Sequence, residues 1–245
     1  MVKKIKRIFS RTLGGEDWQC LLSKPVLHWK RGASAMTAAA AWEDAEDRLP
    51  AEISELLTGS TLPELCHLAL LAAIPEWQVS LPGGTTNSAT DILALCRNDL
   101  GLCVIAVEAK VLEDFGPRLE EKRLSATGGQ LTRLEFLHAL LKVQHFQDDV
   151  RYQLLHRTAS ALLTAQQFHA TTAIMLIHAF ATPAERIKDF LTFSAALGAK
   201  QVAPGVWHVP GFTAPVLYLV WCVGNEVYRD TLLPTANQFR SDPSR

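Results

Sequence analysis

The sequence has few cysteines, and none of them forms a metal-binding pair. Its five cysteines are an odd number, are widely spaced and include no Cys-X-X-Cys pair. This spacing argues against a zinc ribbon and favours a reducing compartment over a disulfide framework. Cys96 and Cys103 lie in apolar segments, where a cysteine usually acts as a small core residue.

The chain also lacks a long apolar run. The longest candidate, residues 216–223, is far shorter than the roughly 20 apolar residues that a membrane helix requires. The N-terminus is basic but has no apolar segment of the kind found in a signal peptide. We therefore expect a cytoplasmic protein that makes no use of a membrane.

A strong overall charge is absent as well. The 245 residues carry a net charge of −1 at pH 7, with 48% hydrophobic and 20% charged residues, which is an ordinary globular composition. Any binding of nucleic acid must therefore depend on local patches. The sequence contains no Gly-Lys-Ser/Thr phosphate loop, no Gly-X-Ser-X-Gly elbow and no internal repeat.

Residues 90–116 carry most of the chemical information. Two apolar runs, residues 92–96 and 102–107, flank a short polar turn at residues 97–101 that ends in glycine. Two apolar runs joined in this way predict a buried β-hairpin.

The ends of this hairpin carry an acid–acid–amine set. The second run ends in Glu108-Ala109-Lys110, and alternation along a strand places Glu108 and Lys110 on one face. Asp91 enters the neighbouring antiparallel strand near the same end. Carboxylates are the ligands that Mg²⁺ or Mn²⁺ prefers, and an amine can stabilise negative charge in a transition state. The set therefore suits metal-assisted hydrolysis, although an exposed ion pair between Glu108 and Lys110 is the simpler alternative.

These residues also carry a family resemblance. Thr90-Asp91, a strand, a turn, a strand and then Glu108-Ala109-Lys110 resemble the motif of the PD-(D/E)XK, or restriction-endonuclease-like, nuclease superfamily, with Thr90 in place of proline. The resemblance covers residues 76–178. It implies a divalent-metal-dependent nuclease that hydrolyses phosphodiester bonds in nucleic acid, with DNA the expected form. Asp91 and Glu108 would hold Mg²⁺ or Mn²⁺, and Lys110 would assist the attacking water.

The resemblance adds three further candidates. Glu43, on a helix before the motif, would be a third acidic metal ligand. Gln153 and Arg157 are four residues apart on a later helix and share one face. By the resemblance Arg157 would contact phosphate and Gln153 a ligand water. The alternative for all three is a solvated position on a helix surface.

The order of apolar patterns predicts the fold class. Helices, including residues 51–57 and 62–74, precede a first strand at 76–81, the hairpin, two helices, a strand, a helix and two strands. This order favours an α/β fold with a mixed sheet flanked by helices and an N-terminal helical extension, as the resemblance to restriction endonucleases implies.

The same patterns suggest one domain with loose ends. We expect a basic N-terminal arm over residues 1–20, a single domain over 21–235 with its core at 76–222, and a frayed tail over 236–245.

Two other functions remain open from the sequence. The chain could be a catalytically inactive nuclease-fold protein that acts in binding or as a scaffold, because a fold alone does not establish activity. A different hydrolase could be built on His28, His156 or His178, although these histidines show no clustering in the sequence. Because one metal site cuts one strand, action as a homodimer or beside another protein is also left open.

Overall fold

The computed structural model describes residue 12 and residues 14–233. In this part of the chain four short helices precede the sheet, and four more follow its central hairpin. They are α1 (Gly15–Leu21), α2 (Pro25–His28), α3 (Ser34–Asp44), α4 (Ala51–Gly59), α5 (Leu119–Leu124), α6 (Gly128–Leu140), α7 (Tyr152–Gln167) and α8 (Ala184–Ala196). A 3₁₀ helix spans Glu226–Asp230. None of these helices combines the length and apolar character that a membrane span requires.

One mixed sheet of seven strands organises the described chain. Its strands are β1 (Ala69–Val79), β2 (Ser88–Asn98), β3 (Gly101–Lys110), β4 (Thr172–Ala179), β5 (Lys200–Ala203), β6 (Val206–Thr213) and β7 (Val216–Val223). Their order across the sheet is β1-β2-β3-β4-β7-β6-β5. β4 pairs in parallel with β3 and with β7, and the other pairs are antiparallel. The predicted α/β fold with a mixed sheet and N-terminal helices is confirmed.

Each face of the sheet is covered by its own layer of helices. Val104 and Ala106 of β3 pack in a core with residues of α6, α7 and α8, while Ile105 and Val107 pack in a second core with residues of α1, α3 and α4. This alternation follows from the two-residue period of a strand. Because both faces of β3 are covered, its side chains are apolar throughout until Glu108.

The predicted hairpin forms as β2 and β3. Its register places Cys96 directly opposite Cys103, and both thiols are buried and free. Asn98 pairs with Gly101 at the turn. Gly101 has φ +130°, and a Cβ there would approach the Thr171 side chain to 2.9 Å, so the position requires glycine.

Helix α3 is fixed over the end of β3 by a hydrogen bond from outside the helix. The Glu113 carboxylate accepts from the Ser34 amide at 2.9 Å and from the Val111 amide at 3.0 Å. An acid at a helix N-terminus satisfies a free donor and matches the helix dipole. Glu113 therefore joins the first turn of α3 to the segment that leaves β3.

Two predictions about local structure were wrong. Residues 62–74 were expected to be helical, but β1 already begins at Ala69 and pairs with β2 from there. The N-terminal arm was expected to extend to residue 20, but Gly15–Leu21 is helical and Trp18 is buried. The rest of that arm, apart from residue 12 and Gly14, and the predicted tail at 236–245 lie outside the described residues.

Candidate functional site

A polar cavity of about 460 Å³ lies at the end of β3, between the N-terminal helices and α7. We call it the acidic cavity. Four carboxylates and two cations line it: Glu76, Asp91, Glu108, Glu113, Lys110 and Arg157. With every group ionised its lining carries a net negative charge, which favours the entry of a cation.

Glu108 is the centre of a buried network. It is 3% exposed, and Lys110 beside it is 5% exposed. The Lys110 ammonium donates to Glu108 Oε1 at 2.8 Å, and Gln153 Nε2 donates to the same oxygen at 2.7 Å. Arg157 Nε donates to Glu108 Oε2. The structure thus brings four predicted residues together, and the alternative of an exposed ion pair does not hold.

The cations around Glu108 fix its ionisation. Burial alone would raise the pKa of this carboxyl, but the charges of Arg157 and Lys110 outweigh burial and lower the pKa to about 2. Glu108 is therefore a carboxylate at neutral pH. The Lys110 ammonium also lies 5.2 Å from the centre of the Phe115 ring, so a cation–π contact holds its other side.

Asp91 reaches this network across the hairpin. Its Oδ2 accepts from the backbone amide of Ala109 at 2.8 Å, which ties Asp91 to the residue between Glu108 and Lys110. Burial, and then the charge of Glu108, raise the pKa of Asp91 to about 7. The predicted convergence of two carboxylates and an amine at one sheet end is thus observed.

Glu76 belongs to the cavity and was missed by the sequence analysis. It lies on β1 opposite Asp91, between the pairs Pro75–Ile92 and Trp77–Thr90, and it has φ +52°. Burial, and then the charge of Asp91, raise the pKa of Glu76 to about 8. No described residue donates a hydrogen bond to its carboxylate. Only the β1–β2 register identifies this acid, and the sequence pattern did not provide that register.

Glu43, the predicted third metal ligand, does not line the acidic cavity. Its carboxylate accepts from the indole Nε1 of Trp18 and from the Thr12 hydroxyl at 3.2 Å. It therefore joins α3 to the N-terminal segment. Glu76 is the third acid beside Asp91 and Glu108.

Helix α7 presents a polar edge to the cavity. Gln153 and Arg157 are one turn apart and both line it, while the neighbouring Leu154 and Leu155 pack in the core. Arg157 is 8% exposed and also donates from Nη1 to the Ser88 hydroxyl at 3.2 Å. A solvated helix surface is therefore excluded for Arg157.

The three histidines considered above have different surroundings. His28 lines the acidic cavity. His156 Nδ1 lies 2.9 Å from the Ser88 hydroxyl, and His178 Nε2 lies 2.9 Å from a Glu52 carboxylate oxygen. Their surroundings differ, so the structure does not bring the three histidines into one site.

The carboxylate oxygens of the acidic cavity suit a hard divalent cation as ligands. Within residues 12 and 14–233, no three His, Cys, Asp or Glu side chains are arranged as a ready metal site. Both Glu108 oxygens already accept hydrogen bonds, whereas Asp91 Oδ1 and both Glu76 oxygens have no donor among the described residues. Carboxylate oxygens with incomplete hydrogen bonding in a negative cavity are typical ligands of Mg²⁺ or Mn²⁺.

Comparison with known proteins gives a family but no activity. Neither the curated proteins nor the solved structures contain a match to this chain. One family model, described as "Domain of unknown function (DUF6946)", matches residues 11–226. Because this match covers most of the 245 residues, the chain belongs to the DUF6946 family.

Proposed function

We propose that this protein is a divalent-metal-dependent phosphodiesterase of the PD-(D/E)XK type that hydrolyses nucleic acid, with DNA as the expected substrate. The observation that carries the proposal is the grouping of the buried Glu108 and Lys110 with the half-buried Asp91 at one end of the central hairpin. Removing ionisable groups from water costs free energy, and such groups concentrate at functional sites.

Asp91, Glu76 and Glu108 are the residues that would hold Mg²⁺ or Mn²⁺. A bound divalent cation supplies a water of lowered pKa and neutralises charge on the scissile phosphate. The raised pKa values of Asp91 and Glu76 mean that one of these carboxyls carries a proton near neutral pH. Both carboxyls would hold the metal only in their deprotonated form.

Lys110 and Arg157 supply the positive charge of the site. Lys110 orients the attacking water and stabilises the negative charge that develops on phosphorus-bound oxygen. Arg157 keeps Glu108 ionised and can bind a phosphate oxygen with Nη2, which donates to neither Glu108 nor Ser88. Hydrolysis adds the water oxygen to phosphorus, breaks the bond to the leaving sugar oxygen and transfers a proton to that oxygen.

The complete hydrogen bonding of the Glu108 carboxylate favours a second candidate function, which is binding without catalysis. Lys110, Gln153 and Arg157 already satisfy both of its oxygens, and the described residues contain no ready three-ligand metal site. A protein that kept this network for stability alone would bind nucleic acid or another protein without cutting.

A cleavage assay separates the two functions. Supercoiled plasmid and single-stranded DNA are incubated with Mg²⁺ or Mn²⁺ and wild-type protein, Lys110→Met, Asp91→Asn or Lys188→Met. We expect wild type and Lys188→Met to cut, because Lys188 is exposed on α8, far in sequence from the motif. Loss of Lys110 or Asp91 lowers the rate by about 100-fold or more, and EDTA abolishes cutting.

Two results would reject the nuclease. Cutting that is unchanged in both Lys110→Met and Asp91→Asn would place the activity elsewhere. A wild-type protein that neither cuts nor binds Mn²⁺ by calorimetry would support the non-catalytic function. Circular dichroism melting of each variant shows that the fold is kept, which matters because Lys110 is part of a buried ion pair.

A further inference from the structure

A second cavity, of about 610 Å³, opens beside the acidic cavity. The loop of residues 82–87 and helices α5, α6 and α7 surround it, and we call it the loop cavity. Lys122, Arg133 and Arg157 line it, and none of its described lining residues is an aspartate or glutamate. Its charge is therefore opposite to that of the acidic cavity.

The wall formed by the loop is held in place by Arg133. The Arg133 side chain donates from Nε to the Pro82 carbonyl at 2.9 Å and from Nη2 to the Thr86 carbonyl at 2.9 Å. A Cβ on Gly83, which has φ +78°, would lie 1.9 Å from the Gly129 carbonyl oxygen, so the loop packs directly on the start of α6. These acceptors are neutral and no described carboxylate forms an ion pair with Arg133, so its guanidinium charge stays uncompensated within that part of the chain.

Lys122 adds a second uncompensated charge next to an aromatic wall. Its ammonium lies 5.0 Å from the centre of the Tyr152 ring, and no described carboxylate forms an ion pair with it. The Tyr152 and His156 rings lie 5.0 Å apart at an angle of 54°. Burial, and then the charge of Arg157, lower the pKa of His156 well below its usual value, and Arg133 and Lys122 act in the same sense. The His156 ring is thus neutral in a positive cavity.

The two cavities share a wall. Ala89, Gln153 and Arg157 line both of them. A ligand in the loop cavity would therefore lie next to the acidic cavity, with Arg157 between the two. A nucleic-acid strand carries a phosphate on each nucleotide, so one strand would present a phosphate to each of the two cavities.

We infer that the loop cavity binds one nucleotide of the substrate strand, with its phosphate between Lys122 and Arg133 and its base against Tyr152 and His156. The link to the neighbouring scissile phosphate rests on the proposed nuclease function. The nucleotide site itself rests on the charge and aromatic wall of the loop cavity alone. Stacking on aromatic side chains and contacts to backbone phosphate are the general means of binding single strands.

Calorimetric titration in EDTA tests this site without any metal or cleavage. Thymidine 5′-monophosphate, thymidine and inorganic phosphate are titrated into wild type, Lys122→Gln, Lys122→Glu and the matched control Lys188→Gln. We expect the monophosphate to bind wild type and Lys188→Gln equally and at least about tenfold more tightly than thymidine or phosphate. Lys122→Gln weakens it by about tenfold, the effect of one charge-assisted hydrogen bond, and Lys122→Glu weakens it further.

Several results would overturn the inference. Equal affinity for thymidine and its monophosphate would show that the phosphate contributes nothing to binding. Equal affinity for phosphate and the monophosphate would show that the base makes no contact with the aromatic rings. Equal binding by Lys122→Gln and Lys188→Gln would place the ligand elsewhere. The outcome is separate from that of the cleavage assay: binding without cutting rejects the nuclease alone, and cutting without this binding rejects the nucleotide pocket alone.

Discussion

The most direct test of charge repulsion in the acidic cavity is the stability of the Glu76→Gln variant in metal-free protein. Glu76 faces Asp91 across β1 and β2, and no described donor satisfies its carboxylate. Glutamine keeps the size and removes the negative charge. We therefore expect the variant to be more stable than wild type at high pH, whereas most single substitutions destabilise a protein.

The size of the gain follows from the pKa of Glu76. Burial and Asp91 raise this pKa from 4.5 to about 8. Below pH 4.5 the carboxyl is neutral in both folded and unfolded chains, so it then costs no stability. Between 4.5 and 8 the unfolded chain loses the proton first, and the folded state loses stability as the pH rises. One pKa unit equals about 1.4 kcal/mol, so about 5 kcal/mol is an upper limit. Because Asp91 shares the repulsion, we expect about 2 kcal/mol at pH 8.5.

Thermal unfolding of both proteins in EDTA at pH 5 and pH 8.5 measures this gain. A gain of 2 kcal/mol raises the melting temperature by about 4–8 °C in a chain of this size. At pH 5 we expect the two proteins to melt within about 1–2 °C of each other. Glu55→Gln, at an exposed position on α4, is the matched control and should shift neither value. Equal melting of wild type and Glu76→Gln at pH 8.5 would refute the electrostatic account of this cavity.

Three further predictions concern the cavity and the core. Binding of Mn²⁺ at pH 7 should release about one proton from Glu76 and Asp91, given pKa values of about 8 and about 7; a binding enthalpy that does not vary with the ionisation enthalpy of the buffer would contradict this. Arg151→Met should lower the free energy of unfolding by about 1–3 kcal/mol in urea, because Asp189, at 3.0 Å, loses its partner; adding Asp189→Asn should recover part of the loss. Phe190→Ala should cost about 3–5 kcal/mol in the same assay, since its ring is fully buried against two tryptophans, and a cost below 1 kcal/mol would contradict that packing.

The central hairpin was predictable from sequence because two apolar runs and a polar turn determine it locally. Its register then brings Asp91 to the end of β3, where Glu108 and Lys110 share a face. Gln153 and Arg157 could be placed on one helix face from their spacing, but their contact with Glu108 depends on how α7 packs on the sheet. Local pattern alone does not contain that packing.

The start of β1 shows where local pattern fails. Residues 62–74 are rich in leucine and alanine, which favour helix, and periodicity does not distinguish a short apolar helix from a strand. Pairing with β2 along the sheet edge overrides that preference. The same error concealed Glu76, because an acid can be assigned to a partner across two strands only when both strands and their register are known.

The buried thiols of the central strands give the protein an internal probe of how often the strands of the sheet separate. Cys96 and Cys103 face each other across β2 and β3, and Cys222 lies on β7, while Cys20 is exposed. Burial raises the pKa of Cys96 and of Cys222 to about 12, and modification requires a thiolate that the reagent can reach. In folded protein a thiol reagent should therefore label Cys20 quickly and the three strand cysteines only when the sheet separates. The slow labelling rate then reports how often the middle of the sheet opens, without an added fluorophore or denaturant.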